Sequence, residues 1–396
     1  MKMFWPKDVD WTHALARLEK QQSNQPFDEV VLSFMQVLSK RFVRMNQMPE
    51  IVALGFWLRK ANIQKLRESF GDSGRVVKAR GTVFHIAPSN VDTIFVYSWM
   101  LSLLAGNRNV IRVSSKEQTG MSVLLRTIVE ELEDPQFTSI AKGTIICTYG
   151  HEENMTAVIS EICHTRVIWG GDETIRAIRQ IPLAPLANEL TFPDRFSLAL
   201  VSSEAVFALT EVELDRLTDR FYNDVFWFDQ MACSSPRLVI WTGSCHDLAK
   251  DRFWSAFKKK IEAKDYELAA ATQVMKLTTT LQMATDDSVS TVRPTTYYSR
   301  VQVEEMPSRA RERHCGGGLF YEYDAIDVLE AATCLVDKDQ TVSYFGFTKE
   351  ELEQFLHAIT TRGVDRIVPV GQALDFSGVW DGQNFLTSFT REVVMR

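Results

Sequence analysis

The 396-residue sequence contains no Cys-x-x-Cys pair; its six cysteines (147, 163, 233, 245, 315 and 334) stand apart. That spacing favours reduced thiols in a cytoplasmic protein over a disulfide framework, and it suggests no metal site. There is no Lys/Arg block and no basic tail, and the formal net charge is -7. Neither nucleic acid nor an anionic membrane surface is therefore an expected partner. Long hydrophobic runs are also missing. The most apolar stretch, 94–105, is too short to cross a bilayer and reads as a buried helix. The opening Met-Lys-Met-Phe-Trp-Pro-Lys-Asp lacks the apolar core of a signal peptide. No repeat or low-complexity tract appears, and neither G-x-G-x-x-G nor a Walker A motif is present.

What is present is ordinary globular composition, with 45% hydrophobic and 24% charged residues over a length that suits two or three domains. Residues 1 to about 70 read as helical. In 27–45, Val30, Val31, Phe34, Met35, Leu38, Phe42 and Val43 recur at helical spacing, and a second helix follows over 50–70. Gly71-Asp72-Ser73-Gly74 is a loop. From there the rhythm changes. Strands are predicted at 83–86, 110–113, 144–147, 166–169 and 196–201, alternating with helices at 91–104, 118–132, 153–162 and 173–181. Such alternation argues for a doubly wound, mostly parallel sheet. A second mixed region follows 203, with Gly316-Gly317-Gly318 as a tight turn or hinge and a last strand near 366–370.

Doubly wound sheets bind ligands beyond the carboxyl ends of their strands. After Ile86 come Ala87-Pro88-Ser89-Asn90; the Asn90 amide could cap a helix or point into a site. Behind Arg112 come Ser114-Ser115-Lys116, a donor cluster suited to a phosphate or simply a solvated polar turn. After Trp169, Gly170-Gly171-Asp172-Glu173 open a helix. The glycines allow close backbone approach and the helix N-terminus favours an anion, although the same residues make a plain turn with an N-cap. One more stretch stands out. Asp229-Gln230-Met231-Ala232-Cys233-Ser234-Ser235-Pro236-Arg237 joins an amphipathic run, 207–228, to a strand-like run, 238–241. A thiol at such a junction is reachable, and nearby backbone N–H groups would lower its pKa. The competing reading is a small core residue.

Three stretches occur in the order found in the aldehyde dehydrogenase superfamily: Ala87-Pro88-Ser89-Asn90, Gly106-Asn107-Arg108-Asn109-Val110-Ile111-Arg112, and Val167-Ile168-Trp169-Gly170-Gly171-Asp172-Glu173. Two more, the Cys233 segment and Asp365-Arg366-Ile367-Val368-Pro369-Val370-Gly371-Gln372-Ala373-Leu374-Asp375-Phe376 with Trp380-Asp381-Gly382, resemble the LuxC-type acyl-CoA reductase family within it.

The resemblance implies an aldehyde dehydrogenase-like fold of two α/β domains with doubly wound sheets, an active site in the cleft between them and a C-terminal oligomerisation tail. The expected divisions are a nucleotide-binding domain over 1–203, a catalytic domain over 204–366 and a return segment over 367–396. Within that frame Cys233 is the nucleophile, and Asn90 with the Cys233 N–H stabilises the oxyanion. Arg112, Ser114, Ser115 and Lys116 meet the adenosine ribose, with NADPH favoured over NADH, and Gly170 and Gly171 lie near the pyrophosphate. The implied activity is NADPH-dependent reduction of a fatty acyl-CoA or acyl-protein thioester to the aldehyde. Implied partners are an acyl-protein synthetase and further copies of the chain, reached by a terminal Val393-Val394-Met395 strand. The alternatives are an acyl-accepting scaffold and a hydrolytic aldehyde dehydrogenase.

Two departures bear on these alternatives. The superfamily's general-base glutamate aligns with Thr191, and Glu189 lies two residues earlier, on the same strand face. The acidic residue that holds the nicotinamide ribose has no clear match around Leu319-Phe320-Tyr321-Glu322. His314 beside Cys315 reads as an acid–base pair or as a structural histidine.

Overall fold

A computed structural model describes residues 1–71, 76–88, 93–115, 119–150, 154–307 and 309–395. The chain divides into two compact units, 1–194 with 376–396, and 195–375.

In chain order the strands of the first unit are β1 (Lys2–Trp5), β2 (Val76–Ala79), β3 (Thr82–Ile86), β4 (Arg108–Arg112), β5 (Thr144–Thr148), β6 (Thr165–Trp169) and β7 (Asn188–Phe192). Six of them form one sheet, ordered β1-β5-β4-β3-β6-β7. All neighbours are parallel except β1, which runs antiparallel to β5. Counted from β3, the parallel strands read 3-2-1-4-5, with a switch point between β3 and β6. β3 and β6 are buried along their whole length, His85 and Arg166 included, and their remaining positions carry the apolar and β-branched residues of a central parallel strand. The helix Ile94–Leu104, apolar apart from Ser98 and Ser102, is buried from Phe95 onward. Tyr97 on it meets Trp57, Phe376 and Phe385 at centroid distances of 5.0, 5.0 and 5.6 Å.

β1 departs from the helical reading of the N-terminus. Four residues carry no period, and the strand is set by tertiary contacts: it pairs with β5, and Trp5 donates its indole N–H to the Ala141 carbonyl at 2.8 Å. β7 was not among the predicted strands, since only Leu190 and Phe192 of its five residues are buried; it enters the sequence reading only through the alignment that puts Glu189 and Thr191 on one strand face.

The second unit carries β8 (Phe196–Ser202), β9 (Pro236–Thr242), β10 (Val289–Pro294), β11 (Ser299–Val303), β12 (Leu319–Ala325), β13 (Asp339–Phe345) and β14 (Arg366–Pro369). Their order is β10-β11-β12-β9-β8-β13-β14. Only β10 with β11 is antiparallel, and β12-β9-β8-β13-β14 again reads 3-2-1-4-5 when β8 is first. β8, grouped with the first domain by the sequence reading, pairs with β9 and β13 in this second sheet.

The C-terminal segment adds β15 (Val379–Trp380), β16 (Gln383–Asn384) and β17 (Thr390–Val393). β17 pairs antiparallel with β2 of the same chain, so within this chain the tail strand already has a partner. No helix among the described residues is long and apolar enough to cross a membrane.

Candidate active site

Cys233 sits in a turn between the helix Glu211–Phe226 and β9. The helix starts at a capping box: the Thr210 side chain accepts the Glu213 N–H, and Glu213 reaches back to the Thr210 N–H at 2.9 Å. After Phe226 the backbone enters the left-handed region at Asp229 (φ 50°) and Gln230 (φ 62°). Two successive non-glycine residues there are uncommon and persist only where the surroundings hold them.

Gln230 is fully buried, and its side-chain amide makes three backbone hydrogen bonds. It donates to the Pro236 carbonyl at 2.8 Å and the Leu319 carbonyl at 3.0 Å, and accepts the Gly318 N–H at 2.9 Å. The Gly317 N–H donates to the Asp229 carbonyl at 2.8 Å. Tyr266 donates its hydroxyl to the Asp229 carboxylate at 2.6 Å. The triple-glycine stretch therefore backs the cysteine turn rather than acting as a free hinge. A Cβ at Gly316 would lie 2.6 Å from the Met231 sulfur, at a φ of +70° that L side chains avoid. On the other side of the turn, Ser197 on β8 donates its hydroxyl to the Cys233 carbonyl at 2.7 Å. Cys233 is half-buried and forms no disulfide. None of the Gln230 and Ser197 contacts was anticipated; Gln230 was quoted only as part of a motif.

His314 is a structural residue. Its Nε2 meets the Leu319 carbonyl at 2.8 Å, and its Nδ1 accepts the Gly316 N–H at 3.0 Å. Both contacts suit the neutral ring, and burial, helped by the Arg237 charge, holds its pKa well below the usual imidazole value. Glu322 is also structural. It is fully buried and accepts from the Trp241 indole at 3.0 Å, the Trp254 indole at 2.7 Å and the Arg300 guanidinium at 2.7 Å.

In the first unit a cavity of about 600 Å³ opens beyond β3, β4 and β5, between the helices Met155–Ile162 and Asp172–Arg179. Ile86, Ala157, Ala177, Ile178 and Ile181 supply apolar wall, and Arg112 and Glu173 supply charge. Arg112 donates to the Tyr149 carbonyl at 3.3 Å and lies 5.4 Å from the Tyr149 ring, while its Nε is buried without a partner among the described residues. Ser114 is half-buried and Ser115 exposed. Asn90 and Lys116 lie outside the described residues.

Gly170 and Gly171 lead into the helix Asp172–Arg179, where space is tight. A Cβ at Gly171 would lie 3.0 Å from the Asp194 carboxylate, which also accepts the Asp172 N–H at 3.4 Å. That helix N-terminus therefore already faces a protein carboxylate.

Glu189 is held by two arginines. Arg166 donates to one oxygen at 2.8 and 2.5 Å, and Arg179 to the other at 2.9 Å. Arg179 also reaches Thr191 at 3.2 Å, which places Glu189 and Thr191 on one face of β7. Among the described residues no cluster of three or more His, Cys, Asp or Glu is placed to hold a metal.

Comparison with known proteins places the chain in a family. The acyl-CoA reductase (LuxC) family profile matches residues 8–289. The chain belongs to that family. It is 22% identical over 305 residues to a long-chain acyl-protein thioester reductase of Photorhabdus laumondii, covering 74% of this chain and 58% of that protein. It is 24% identical over 185 residues to long-chain acyl-protein thioester reductase 2 of Photobacterium leiognathi, covering 46% of this chain and 36% of that protein. The chain thus spans about three-fifths or less of the curated relatives it matches. Solved structures share its fold at low identity. An aldehyde dehydrogenase 21 from Physcomitrella patens superposes with a TM-score of 0.70 at 12% identity, over 97% of this chain and 89% of that one. A benzaldehyde dehydrogenase from Corynebacterium glutamicum gives 0.66 at 16%, over 96% and 86%. The architecture, two doubly wound α/β units, is that of the aldehyde dehydrogenase superfamily.

Proposed function

We propose that this acyl-CoA reductase family member uses NADPH to reduce a fatty acyl thioester, of coenzyme A or of a partner protein, to the aldehyde through an S-acyl Cys233 intermediate. The carrying observation is the Cys233 turn, a reachable thiol braced from two sides by Ser197 and Gln230.

The Cys233 thiolate attacks the thioester carbonyl carbon, and the carbonyl π pair moves to oxygen. Collapse restores the carbonyl and expels the donor's thiolate, a good leaving group at neutral pH. The Asn90 amide and the Cys233 N–H stabilise the oxyanion, a contribution of about 10²–10³ in rate per donor. A nicotinamide nucleotide fits the first unit. The cavity's size and apolar walls suit a small-molecule ligand, and the orphaned Arg112 Nε suits an anionic oxygen. Arg112, with Ser114, Ser115 and Lys116, would hold the ribose and its 2′-phosphate. When bound, the dihydronicotinamide supplies the hydride that turns the S-acyl group into a thiohemiacetal. The Cys233 thiolate then leaves as the aldehyde forms.

The hydrolytic alternative requires a base that activates water. Glu189 is a poor candidate, since both of its oxygens accept from guanidinium groups. Without such a base the acyl-enzyme persists until it is reduced. The relatives named as acyl-protein thioester reductases favour a protein-bound acyl thioester as the donor.

The test is NADPH consumption with acyl-CoAs of increasing chain length, with the product identified. Turnover to aldehyde that disappears in Cys233→Ala supports the reading. Carboxylic acid as the product, or unchanged turnover in Cys233→Ala, overturns it.

A further inference from the structure

The turn that carries Cys233 is closed by a hydrogen bond from the Ser235 N–H to the Ala232 carbonyl at 3.1 Å, so Cys233 and Ser234 are its two central residues. The peptide between them is the part of a β-turn that can flip: turn types I and II differ by a half-rotation of this central peptide. Type II requires positive φ at the second central residue, and Ser234 is not among the residues with positive φ. In the observed orientation the Cys233 carbonyl points at β8, where the Ser197 hydroxyl donates to it at 2.7 Å. Ser197 is itself fully buried, and its oxygen accepts the Thr341 N–H of β13 at 3.2 Å. A relay therefore runs from the Thr341 N–H through Ser197 Oγ to the Cys233 carbonyl.

A peptide unit is planar, with N–H and C=O opposed. Fixing the Cys233 carbonyl toward β8 aims the Ser234 N–H the opposite way. Ser234 is 3% exposed, and its N–H meets no acceptor among the described residues. Buried backbone N–H groups without a partner are rare, because each costs about the free energy of a lost hydrogen bond. An orphan donor on the residue after a nucleophile is suited to a negative charge that appears only during reaction.

We infer that Ser197 is a positioning residue: through the Cys233 carbonyl it locks the central peptide of the turn, so that the Ser234 N–H faces the acyl oxygen and donates to the oxyanion formed when Cys233 is acylated. The assignment rests on Cys233 being the nucleophile of the proposed function. Attack forms the S–C bond and moves the carbonyl pair onto oxygen, where the Ser234 N–H meets it. Collapse re-forms the carbonyl as the leaving group departs with its electron pair. A type II flip would present the Cys233 carbonyl oxygen to that charge instead.

Ser197→Thr and Ser197→Val test this, because the two variants match in volume and differ in the hydroxyl. The probe is p-nitrophenyl acetate, whose attack by Cys233 forms an oxyanion without coenzyme A or nicotinamide. Acetylation is followed by p-nitrophenolate release and by intact mass. Iodoacetamide alkylation of Cys233 is the control, since displacement at a saturated carbon forms no oxyanion. The Thr variant should acetylate within about threefold of the parent. The Val variant should be slower by about 10²-fold, the loss typical of one oxyanion donor. Alkylation rates across pH and melting temperatures should match between the two. Equal acetylation by both variants, or acetylation and alkylation falling together in Val, overturns the assignment, as does a parent chain that is not acetylated at Cys233. If the parent acetylates with the expected Thr/Val split but reduces no acyl-CoA, the proposed function fails and the Ser197 role stands.

Discussion

Asp224 makes the stability of the second unit depend on pH, in a direction that can be worked out. It is 1% exposed on the helix that leads to the Cys233 turn. Its two oxygens accept the Gly371 N–H at 2.6 Å and the Ala373 N–H at 2.9 Å, which fastens the Val370-Gly371-Gln372-Ala373 turn to that helix. Burial pushes its carboxyl up to about 7, against the opposing pull of those two N–H donors. In the unfolded chain the value is about 3.9. Below both values the group is protonated in either state and has no effect. Between them the folded state holds the proton longer, so stability falls as pH rises; above about 7 the penalty is complete, at roughly 4 kcal/mol. From pH 5 to pH 8 the loss is about 2–3 kcal/mol. Asp224→Asn removes this titration but keeps only one acceptor for two N–H donors, a cost of about 2 kcal/mol. The gap in urea unfolding, parent minus variant, should therefore fall by about 2–3 kcal/mol between pH 5 and pH 8, enough to reverse its sign. Asp375, also raised by burial, is present in both proteins and largely cancels. A gap that stays constant or rises with pH refutes the reasoning.

The strand and helix alternation between Thr82 and Ser202 was legible because buried parallel strands are rich in apolar and β-branched residues, as in Val83-Phe84 of β3 and Val167-Ile168-Trp169 of β6, both strands being buried end to end. β1 was not, because its pairing partner β5 lies more than a hundred residues away. The same distinction divides the site. The place of Cys233 between helix and strand is a local feature and was readable. That Glu189 and Thr191 share a face was readable from the two-residue strand period, and Arg179 reaching both shows it. The Arg166 partnership, which commits the Glu189 carboxylate, spans 23 residues and leaves no spacing signal. Ser197 lies 36 residues from Cys233, and Gln230 bonds Leu319 across 89. Hydrogen bonds of this kind depend on the strand order, with β9 between β8 and β12, and on nothing that neighbouring residues display.

Substitutions at two further residues test separate features of the molecule. Glu189→Gln removes the negative charge facing Arg166, which is 2% exposed and keeps as acceptors a neutral amide oxygen, the Ser160 hydroxyl and the Ile181 carbonyl. The cost should be about 3 kcal/mol in thermal unfolding, with aldehyde remaining the product; a role as general base would instead change the ratio of acid to aldehyde at unchanged stability. Gln230→Leu leaves the Gly318 N–H and the Pro236 carbonyl without the amide, while the Leu319 carbonyl keeps His314, so the loss should be about 2–4 kcal/mol. Gln230→Glu separates hydrogen bonding from simple packing. Its carboxyl keeps an acceptor for the Gly318 N–H but faces the Pro236 and Leu319 carbonyls, to which a carboxylate cannot donate and a protonated acid can. The folded state then favours the protonated form and raises the carboxyl pKa above its unfolded value. Stability must therefore fall as pH rises above that unfolded value. Melting of the Glu variant relative to the parent should recover at pH 5 and worsen at pH 8. An equal deficit at both would mean that Gln230 fills space behind the Cys233 turn without bracing it.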